Sequence, residues 1–503
     1  MNLLFLCLYI LIVLIVFDFV RKNLRLGPND PKGPISLPLF GNLLMLGKNP
    51  HRTLTALSHV YGGVFRLYMG DHYAMVITDP YVVRQIWNKR FSNFSNRPHP
   101  NSYRNYSGDF QDLAFADYKL WKKNRQLVSS AFTKTKLKTV EDIIERQTRY
   151  LVDSMKKCSN ENEYFEPKKY YSKFAINIVC GMMFSKEISP EESVDQGSMA
   201  KLTVPIQSVF KKLGADNPDD FISILSPFFY FANKKFKRQV EDIYEFMEGI
   251  YDDHVVNLDP QNPKDQMDLL IIASNGEAKF MVIHTAMDFL LAGSDSNAAV
   301  IEWFCLFLIN NKDIQKKAYE ELVGCLGKDS KFVSSSDRQQ CEYMVSIIKE
   351  ILRVRPVGPL GIPRVALEST NIETKDGESV FIPKGTQVYQ NIYGLGHNYV
   401  ENPHTFRPER WIEYRKLKEF KDINGIKEKD YFNDLDRVCI PYSVGNRNCP
   451  GMALSEMILF SACANILLNF ELDSVSGNNL DEEEVFGLTI HPKPFSIKLT
   501  PRF

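Results

Sequence analysis

"PYSVGNRNCPGMALSEMILF", residues Pro441 to Phe460, holds a single thiol, Cys449, between two glycines and an arginine, just ahead of an apolar run with helical spacing. A lone cysteine is usually a small buried hydrophobe, and Cys439, flanked by Val438 and Ile440, has that character. The frame around Cys449 is different. Gly445 and Gly451 lack a Cβ, so backbone there can lie close against a flat group. Arg447, two residues before the thiol, offers a forked donor for a carboxylate. Pro450 suits the first turn of the helix that follows, whose N-terminal amides favour an anionic sulfur and predict a depressed thiol pKa. Thiol, glycines and arginine together describe a thiolate ligand to a haem iron, an arrangement in which sulfur pushes electron density toward bound dioxygen and favours O–O cleavage.

Five further stretches bear on the same group. "KEILRVRP" sets Glu350 and Arg353 three apart on one helical face, and "NPHTFRPERW" supplies Arg410. "LWKKNRQLV" places Trp121 and Arg125 four apart on another helix, and "GIPRVA" carries Arg364. From Lys279 to Asn310, "KFMVIHTAMDFLLAGSDSNAAVIEWFCLFLIN" is long and apolar but broken by the polar cluster Gly293 to Asn297. Asp288, Asp295 and Glu302 argue against a membrane span there, since a carboxylate such as Asp near the bilayer centre costs about 2.5–3.5 kcal/mol. A buried helix crossing a large domain accounts for the pattern.

The Cys449 segment resembles the haem-binding loop of the cytochrome P450 monooxygenases. Tyr442 stands where that family usually has phenylalanine, and Ser455 and Ile458 where it often has alanine and glutamate. A buried phenol needs a partner, so a loop carbonyl or a haem propionate is expected for Tyr442. The resemblance implies haem b with Cys449 as axial iron ligand, Gly445 and Gly451 against the macrocycle, and propionate contacts from Arg447, Trp121, Arg125 and Arg364. It implies a structural cluster of Glu350, Arg353 and Arg410 beneath the haem. "AGSDSN" resembles the family's Ala-Gly-x-acid-Thr motif, so Ala292 and Gly293 would face the haem while Asp295 and Ser296 supply catalytic protons. Serine keeps the hydroxyl but not the β-branching, which implies activity with leakier coupling.

At 503 residues the length alone would allow about three domains. The motifs from Trp121 to Cys449 converge on one haem, however, which indicates a single large domain. Hydrophobic content of 44% with 34 phenylalanines supplies its core, and zero formal net charge offers nothing to a nucleic-acid partner. Nine cysteines without paired spacing favour a reducing compartment. Long amphipathic patterns between Val82 and Val323, with short strand-like runs near Gly63 to Thr78, Ser379 to Tyr389 and Phe495 to Leu499, predict a mainly α fold with small β-sheets, as in the cytochrome P450 family. The charged run Tyr414 to Tyr431 and the acids Asp481 to Glu484 read as solvated loops. "GNLLMLGKN" fails as a phosphate loop, because Gly41 to Gly47 is one residue too long and Asn49 replaces Ser/Thr.

The expected division is a transmembrane signal-anchor over 1–22, a proline-rich hinge over 23–42 and the haem-thiolate domain over 43–503. Leu3 to Val20 would span roughly 27 Å as a helix, close to the thickness of the endoplasmic reticulum bilayer. A cleaved signal would show a basic start and a small-residue cleavage site. Arg21, Lys22 and Arg25 follow the span, so the positive-inside rule puts the remainder in the cytosol, and the sequons at Asn93 and Asn105 stay unmodified.

These readings converge on a single-pass membrane protein that inserts one oxygen atom from O2 into a lipophilic small molecule. Only 54 residues follow Cys449, too few for a fused flavoprotein domain of about 100–150 residues. Electrons from NADPH would then arrive through a separate NADPH-cytochrome P450 reductase, with Lys119, Lys122 and Lys123 in its docking surface. The resemblance places substrate contacts after Phe91, from Leu202 to Phe236, along the long helix and near Leu488 to His491. Phe228, Phe229 and Phe231, beside basic residues, suit a membrane interface. A haem-thiolate isomerase or dehydratase acting on a peroxide, and a non-enzymatic membrane haem sensor, remain as alternatives. The Asp295 and Ser296 pair weighs against the first.

Overall fold

The computed structural model describes residues 3–503 apart from 25–26, 28, 132–133, 162, 195–205, 207, 211, 215–216 and 425–431. Part of the Leu202 to Phe236 stretch therefore lies outside the described residues.

The long helix Lys279–Asn310 runs through the middle of the protein. It is apolar over most of its length and mostly buried, with Val282, Ile283, Ala286, Trp303, Phe304 and Leu308 almost fully enclosed. It packs against the helices Pro167–Phe184, Glu342–Val354 and Met452–Asn469, and their apolar side chains make one continuous core. Met452–Asn469 is long and apolar enough to cross a membrane, but 72% of it is buried in the protein. Its composition serves the core.

Four strands form a sheet in the order Val64–Met69, His72–Ile77, Gln387–Gln390, Arg364–Val365. The first pair is antiparallel with Val64 opposite Ile77, the second is parallel, and Arg364 lies opposite Val388. Alternate side chains enter two apolar clusters on opposite faces: Phe65, Leu67, Ala74 and Val76 on one, Val64, Met75, Ile77 and Val388 with Trp87 on the other. The expected mainly helical fold with small sheets is the one observed.

Two segments differ from expectation. The charged run from Tyr414 is helical as far as Ile423, within Glu409–Ile423, and 425–431 lies outside the described residues. Buried Arg410 and Trp411 anchor its first turn, and Arg407–Glu413, Arg415–Glu342 and Lys418–Asp436 pairs dress its outer face. Among the terminal acids, Asp481 and Glu483 are solvated and pair with Lys493, whereas Glu484 is buried. Arg52 forks onto both Glu484 oxygens, His51 Nε2 lies 3.0 Å away and Arg355 Nε 3.7 Å. Burial alone would raise its pKa. The His51 and Arg52 bonds outweigh that and hold it at about 2.

The N-terminal helix Leu3–Asn23 turns its apolar side chains from Phe5 to Val20 outward. Its last turn is bonded to the domain. Asn23 and Ser36 exchange two hydrogen bonds of 2.9 Å, Leu39 N donates to Asp18 Oδ2 at 2.8 Å, and Arg66 Nη1 donates to the Lys22 carbonyl at 3.1 Å. Lys22, fully buried, pairs with Asp18 at 2.9 Å. Within the 23–42 segment, expected as a hinge, Lys32 O accepts from Arg66 N on the edge strand of the four-stranded sheet, and Asn29 O accepts from Phe381 N on the strand Ser379–Ile382 of a separate two-stranded sheet.

Candidate active site

The loop before Met452–Asn469 is curled by backbone bonds, Ser443 N to Ile440 O, Cys449 N to Tyr442 O and Asn448 N to Gly445 O. Gly445 has φ +77°, and a Cβ there would lie 2.1 Å from the Trp87 carbonyl oxygen. Its glycine is thus required by the approach of the Trp87 backbone. At Gly451 a Cβ would sit 3.9 Å from Cys449 Sγ, an ordinary contact. Pro450 falls before the helix, whose N-cap is Gly451.

Cys449 sits deep yet has an open surface, so its sulfur faces interior space. The thiol pKa moves up, against the expected depression. Burial pushes it up, and the Gly451 N–H and the Arg125 charge offset only part of that. A cation at the sulfur would displace the proton outright.

Three buried guanidiniums gather near this loop. Arg447 donates to Ala116 O at 2.5 Å and lies 4.6 Å above the Trp121 ring. Arg364 donates to Phe94 O at 3.1 Å, and Arg97 to Ala114, Ile362 and Pro363 carbonyls. Arg447 Nε and Nη1 and Arg364 Nε have no partner. Among the described residues none of the three forms an ion pair. Burial, aided by the mutual repulsion of the arginines, pushes Arg447 down to about 8 and Arg364 well down, and burial alone brings Arg97 to about 10. Buried unpaired charge of one sign is costly, so the pocket fits a group carrying carboxylates. A flat macrocycle with two propionates, its iron on Cys449, answers both the orphaned donors and the open thiol.

Arg97 is invisible in the sequence, an arginine in the loop "SNRPHP" with no motif around it. Arg125, expected at a propionate, bonds Asn448 through its carbonyl at 3.3 Å and its side chain at 3.1 Å. It clamps the cysteine loop. The Tyr442 hydroxyl reaches neither a loop carbonyl nor this arginine group. It donates to Ser455 Oγ at 3.3 Å, Ser455 donates to Asn297 Oδ1 at 2.8 Å, and Asn297 Nδ2 donates to Gly293 O at 2.8 Å. Those three side chains tie the cysteine loop to the polar break in Lys279–Asn310.

At that break Ala292 is exposed although Leu290 is buried, so the helix opens onto interior space. A Cβ on Gly293 would meet Val179 at 2.8 Å, so its glycine serves close packing of Pro167–Phe184. Ser296 Oγ donates to Ala292 O at 2.6 Å. Asp295 turns elsewhere, accepting from the Thr489 hydroxyl and from His491 Nε2 at 2.9 Å. Burial would raise its pKa, but the His491 bond and charge, the Thr489 hydroxyl and the Lys168 charge together outweigh that and lower it. Two turns earlier Asp288 accepts from Leu113 N, Ala114 N and Tyr106 OH, binding the 106–114 segment to the helix. Burial pushes Asp288 up to about 7 and its neighbour Asp112 well up.

Glu350 and Arg353 are both buried. Glu350 accepts from Arg353 Nε and Nη2, Arg410 Nε, Trp411 Nε1 and Arg407 N at 2.8–3.1 Å. The two arginines also bind the carbonyls of Gly396, Pro403, Thr405, Glu401 and Asn402, which fixes the 396–405 connection.

The profile of the Cytochrome P450 family matches residues 31–499. "Probable cytochrome P450 519A1" of Dictyostelium discoideum is 53% identical over the whole of this chain and 99% of its own length. "Cytochrome P450 monooxygenase 521A1" of the same organism is 34% identical over 98% of this chain and 99% of its own length. A zebrafish cytochrome P450 solved with progesterone has a TM-score of 0.76 at 25% identity, covering 90% of this chain and 99% of that one. Another structure of a zebrafish cytochrome P450, with abiraterone, gives 0.74 over 91% and 100%. With the family profile spanning nearly the whole chain and a relative sharing half its residues, the protein is a member of the cytochrome P450 family, a haem-thiolate monooxygenase.

Proposed function

We propose that this protein inserts one oxygen atom into a lipophilic small molecule with electrons from NADPH delivered by a separate reductase, and that its haem b is held by Cys449 through the iron and by Arg97, Arg364 and Arg447 through the propionates. The observation that carries this is the set of three buried arginines that form no ion pair among the described residues, two of them with unbonded guanidinium nitrogens, beside a deep, open thiol. The haem, when bound, supplies oxygen activation. The chain's own residues do the rest. Trp121 stacks under Arg447 and holds its fork in place, Arg125 clamps Asn448, and Ala292 leaves space over the pocket. Ser296 holds a proton at Oγ and passes it on, with Asp295 as the acid behind it. Gly445, Gly451, Gly293 and Tyr442 shape the loop and helix around the group.

The lipophilic substrate is supported by the zebrafish relatives, whose structures contain progesterone and abiraterone. Lys119, Lys122 and Lys123 are exposed on the helix whose Arg125 grips the cysteine loop, a placement that suits a reductase delivering electrons from the sulfur side. Leu3–Asn23 is the membrane anchor over 1–22. Ile224, Phe228 and Phe231 are 68–81% exposed, with Phe229 only half-buried, and lie along the bilayer surface. The domain over 43–503 then faces the cytosol at the endoplasmic reticulum.

The test is turnover with NADPH, a reductase and a panel of lipophilic compounds including progesterone, under 18O2. One 18O atom in product is expected. Rearrangement of a hydroperoxide without O2 or NADPH would replace this reading with the isomerase, and NADPH consumption that no compound stimulates would favour the sensor. Ser296→Ala is expected to lower product formed per NADPH consumed by about a hundredfold, the low end for a positioned proton-transfer group. An unchanged ratio would remove Ser296 from that role.

A further inference from the structure

His491 belongs to a short terminal ladder in which Val485 pairs with it and Glu484 with Pro492, and it is 9% exposed. Its Nε2 lies 2.9 Å from Asp295 Oδ2, and its Nδ1 lies 3.3 Å from Glu302 Oε1. Asp295 and Glu302 are seven apart, two turns along one face of Lys279–Asn310, so a single ring spans both. With a carboxylate at each nitrogen, both nitrogens must donate, and the ring is an imidazolium. Thr489 Oγ1 bonds the same Asp295 oxygen and lies 3.1 Å from Nε2. The acid of the oxygen-side motif is therefore tied to the C-terminal loop and not to its neighbour Ser296.

We infer that His491 is a positioning residue for proton delivery, its ring spanning Asp295 and Glu302 and, together with Thr489, setting the direction of the acid that carries a proton toward Ser296. In the loading step a proton from solvent bonds to Asp295 Oδ2, and the neutral acid is no longer held by opposite charge, while His491 stays an imidazolium on Glu302. The acid turns to the Ser296 hydroxyl, where its O–H bond breaks as a new one forms at Ser296 Oγ and the proton Ser296 held passes on into the pocket. Asp295, again a carboxylate, returns to His491, and one proton has moved from solvent to the pocket. No electrons move. The inference rests on the proposed role of Asp295 as the acid for oxygen chemistry.

The charged and titratable groups around the ring are few. Asp295 and Glu302 come from the long helix. Lys168, on Pro167–Phe184, favours ionised Asp295. Tyr171 and Cys305 feel Glu302, and burial pushes both up, Cys305 to about 12, so they stay neutral. Burial would lower the His491 pKa, but the bonds to Asp295 and Glu302 outweigh it and raise it to about 9. A raised pKa means that the stabilisation from this cluster is full below the ordinary histidine value of about 6.5 and is lost as pH rises through about 9.

The experiment uses the full-length holoprotein. Histidine ring NMR of the ferrous carbon monoxide form, with His491 assigned by its loss in His491→Gln, is expected to show an inflection near pH 9, displaced downward in Asp295→Asn. Product per NADPH is expected to fall roughly tenfold in His491→Gln, less than the ~100-fold of a directly transferring group because Asp295 remains, and to decline in the wild type above about pH 9. An inflection near the ordinary value of about 6.5, or wild-type coupling in His491→Gln, overturns the assignment. Should His491→Gln not fold, Thr489→Val and the wild-type profile decide. Coupling that is flat through pH 9 and indifferent to the Thr489 hydroxyl sinks it. If no compound yields product in the wild type, the monooxygenase reading fails while the ring titration still stands on its own.

Discussion

Replacing Cys449 with serine is expected to abolish the strongly red-shifted Soret band of the reduced, carbon monoxide-bound protein and to cut NADPH-driven product formation by at least about a thousandfold, the scale of losing a group at the reacting centre. The sulfur is the one thiol in the described residues that combines depth with an open surface in the pocket. Cys158, Cys180, Cys305, Cys341 and Cys463 are enclosed by the core. A serine hydroxyl has no comparable anion to offer iron, although the Gly451 N–H and Arg125 that now partly stabilise the sulfur would remain. The loop backbone is fixed by Tyr442, Ile440 and Gly445 carbonyls rather than by the thiol, so far-ultraviolet circular dichroism should be unchanged. A red-shifted band that survives in Cys449→Ser would assign the ligand elsewhere, with Cys439 next to examine.

Glu350→Ala is expected to prevent accumulation of folded haem protein. Removing one partner of a buried charge cluster costs about 3–5 kcal/mol, against a total stability of about 5–15 kcal/mol. Here a single carboxylate pairs with two enclosed guanidiniums and also accepts from Trp411 and the Arg407 amide. Its loss leaves Arg353 and Arg410 charged in the core and frees the connection they hold. Glu350→Gln, which keeps acceptor capacity without the charge, should be intermediate, and the exposed Glu419→Ala should stay within about 0.5 kcal/mol of wild type. Urea unfolding midpoints and the yield of haem-containing protein measure the series. A wild-type midpoint in Glu350→Ala would show that the cluster contributes no net stability.

What the chain discloses on its own depends on how far apart the cooperating residues lie. Glu350 and Arg353 are legible because helical spacing puts them on one face, and Arg410 because it sits in a recognisable Pro-Glu-Arg. Trp411 stands next to it, yet its bond to Glu350 follows only from the fold. Arg97 joins Arg364 and Arg447 from a separate loop, so nothing local marks it. Glu484 hides in an acidic run, its partner His51 being 433 residues away. Tyr442 and Ser455 each look like an isolated departure from the family pattern. They are one hydrogen bond, which is why the phenol's partner was not readable from either position alone. Asp295 is legible as an acid, but its direction is set by Thr489 and His491, almost two hundred residues downstream.

The way the N-terminal helix joins the body bears on how a soluble form should be made. Hydropathy draws the natural cut at residue 22, but the contacts run through that point. Lys22 is sealed against the domain, its carbonyl receives Arg66, and Asp18 and Asn23 hold the backbone of Leu39 and Ser36. A deletion of residues 1–22 would take Asp18 and Lys22 with it, leaving Arg66 short of an acceptor and the strap at Ser36 to Leu39 partly unfastened. A deletion ending before Asp18 removes most of the greasy surface and spares those fastenings. The helix is also not a swivel. With its final turn fixed, the angle at which it leaves the body is a property of the folded protein, and whatever surface receives that helix receives the pocket in one orientation.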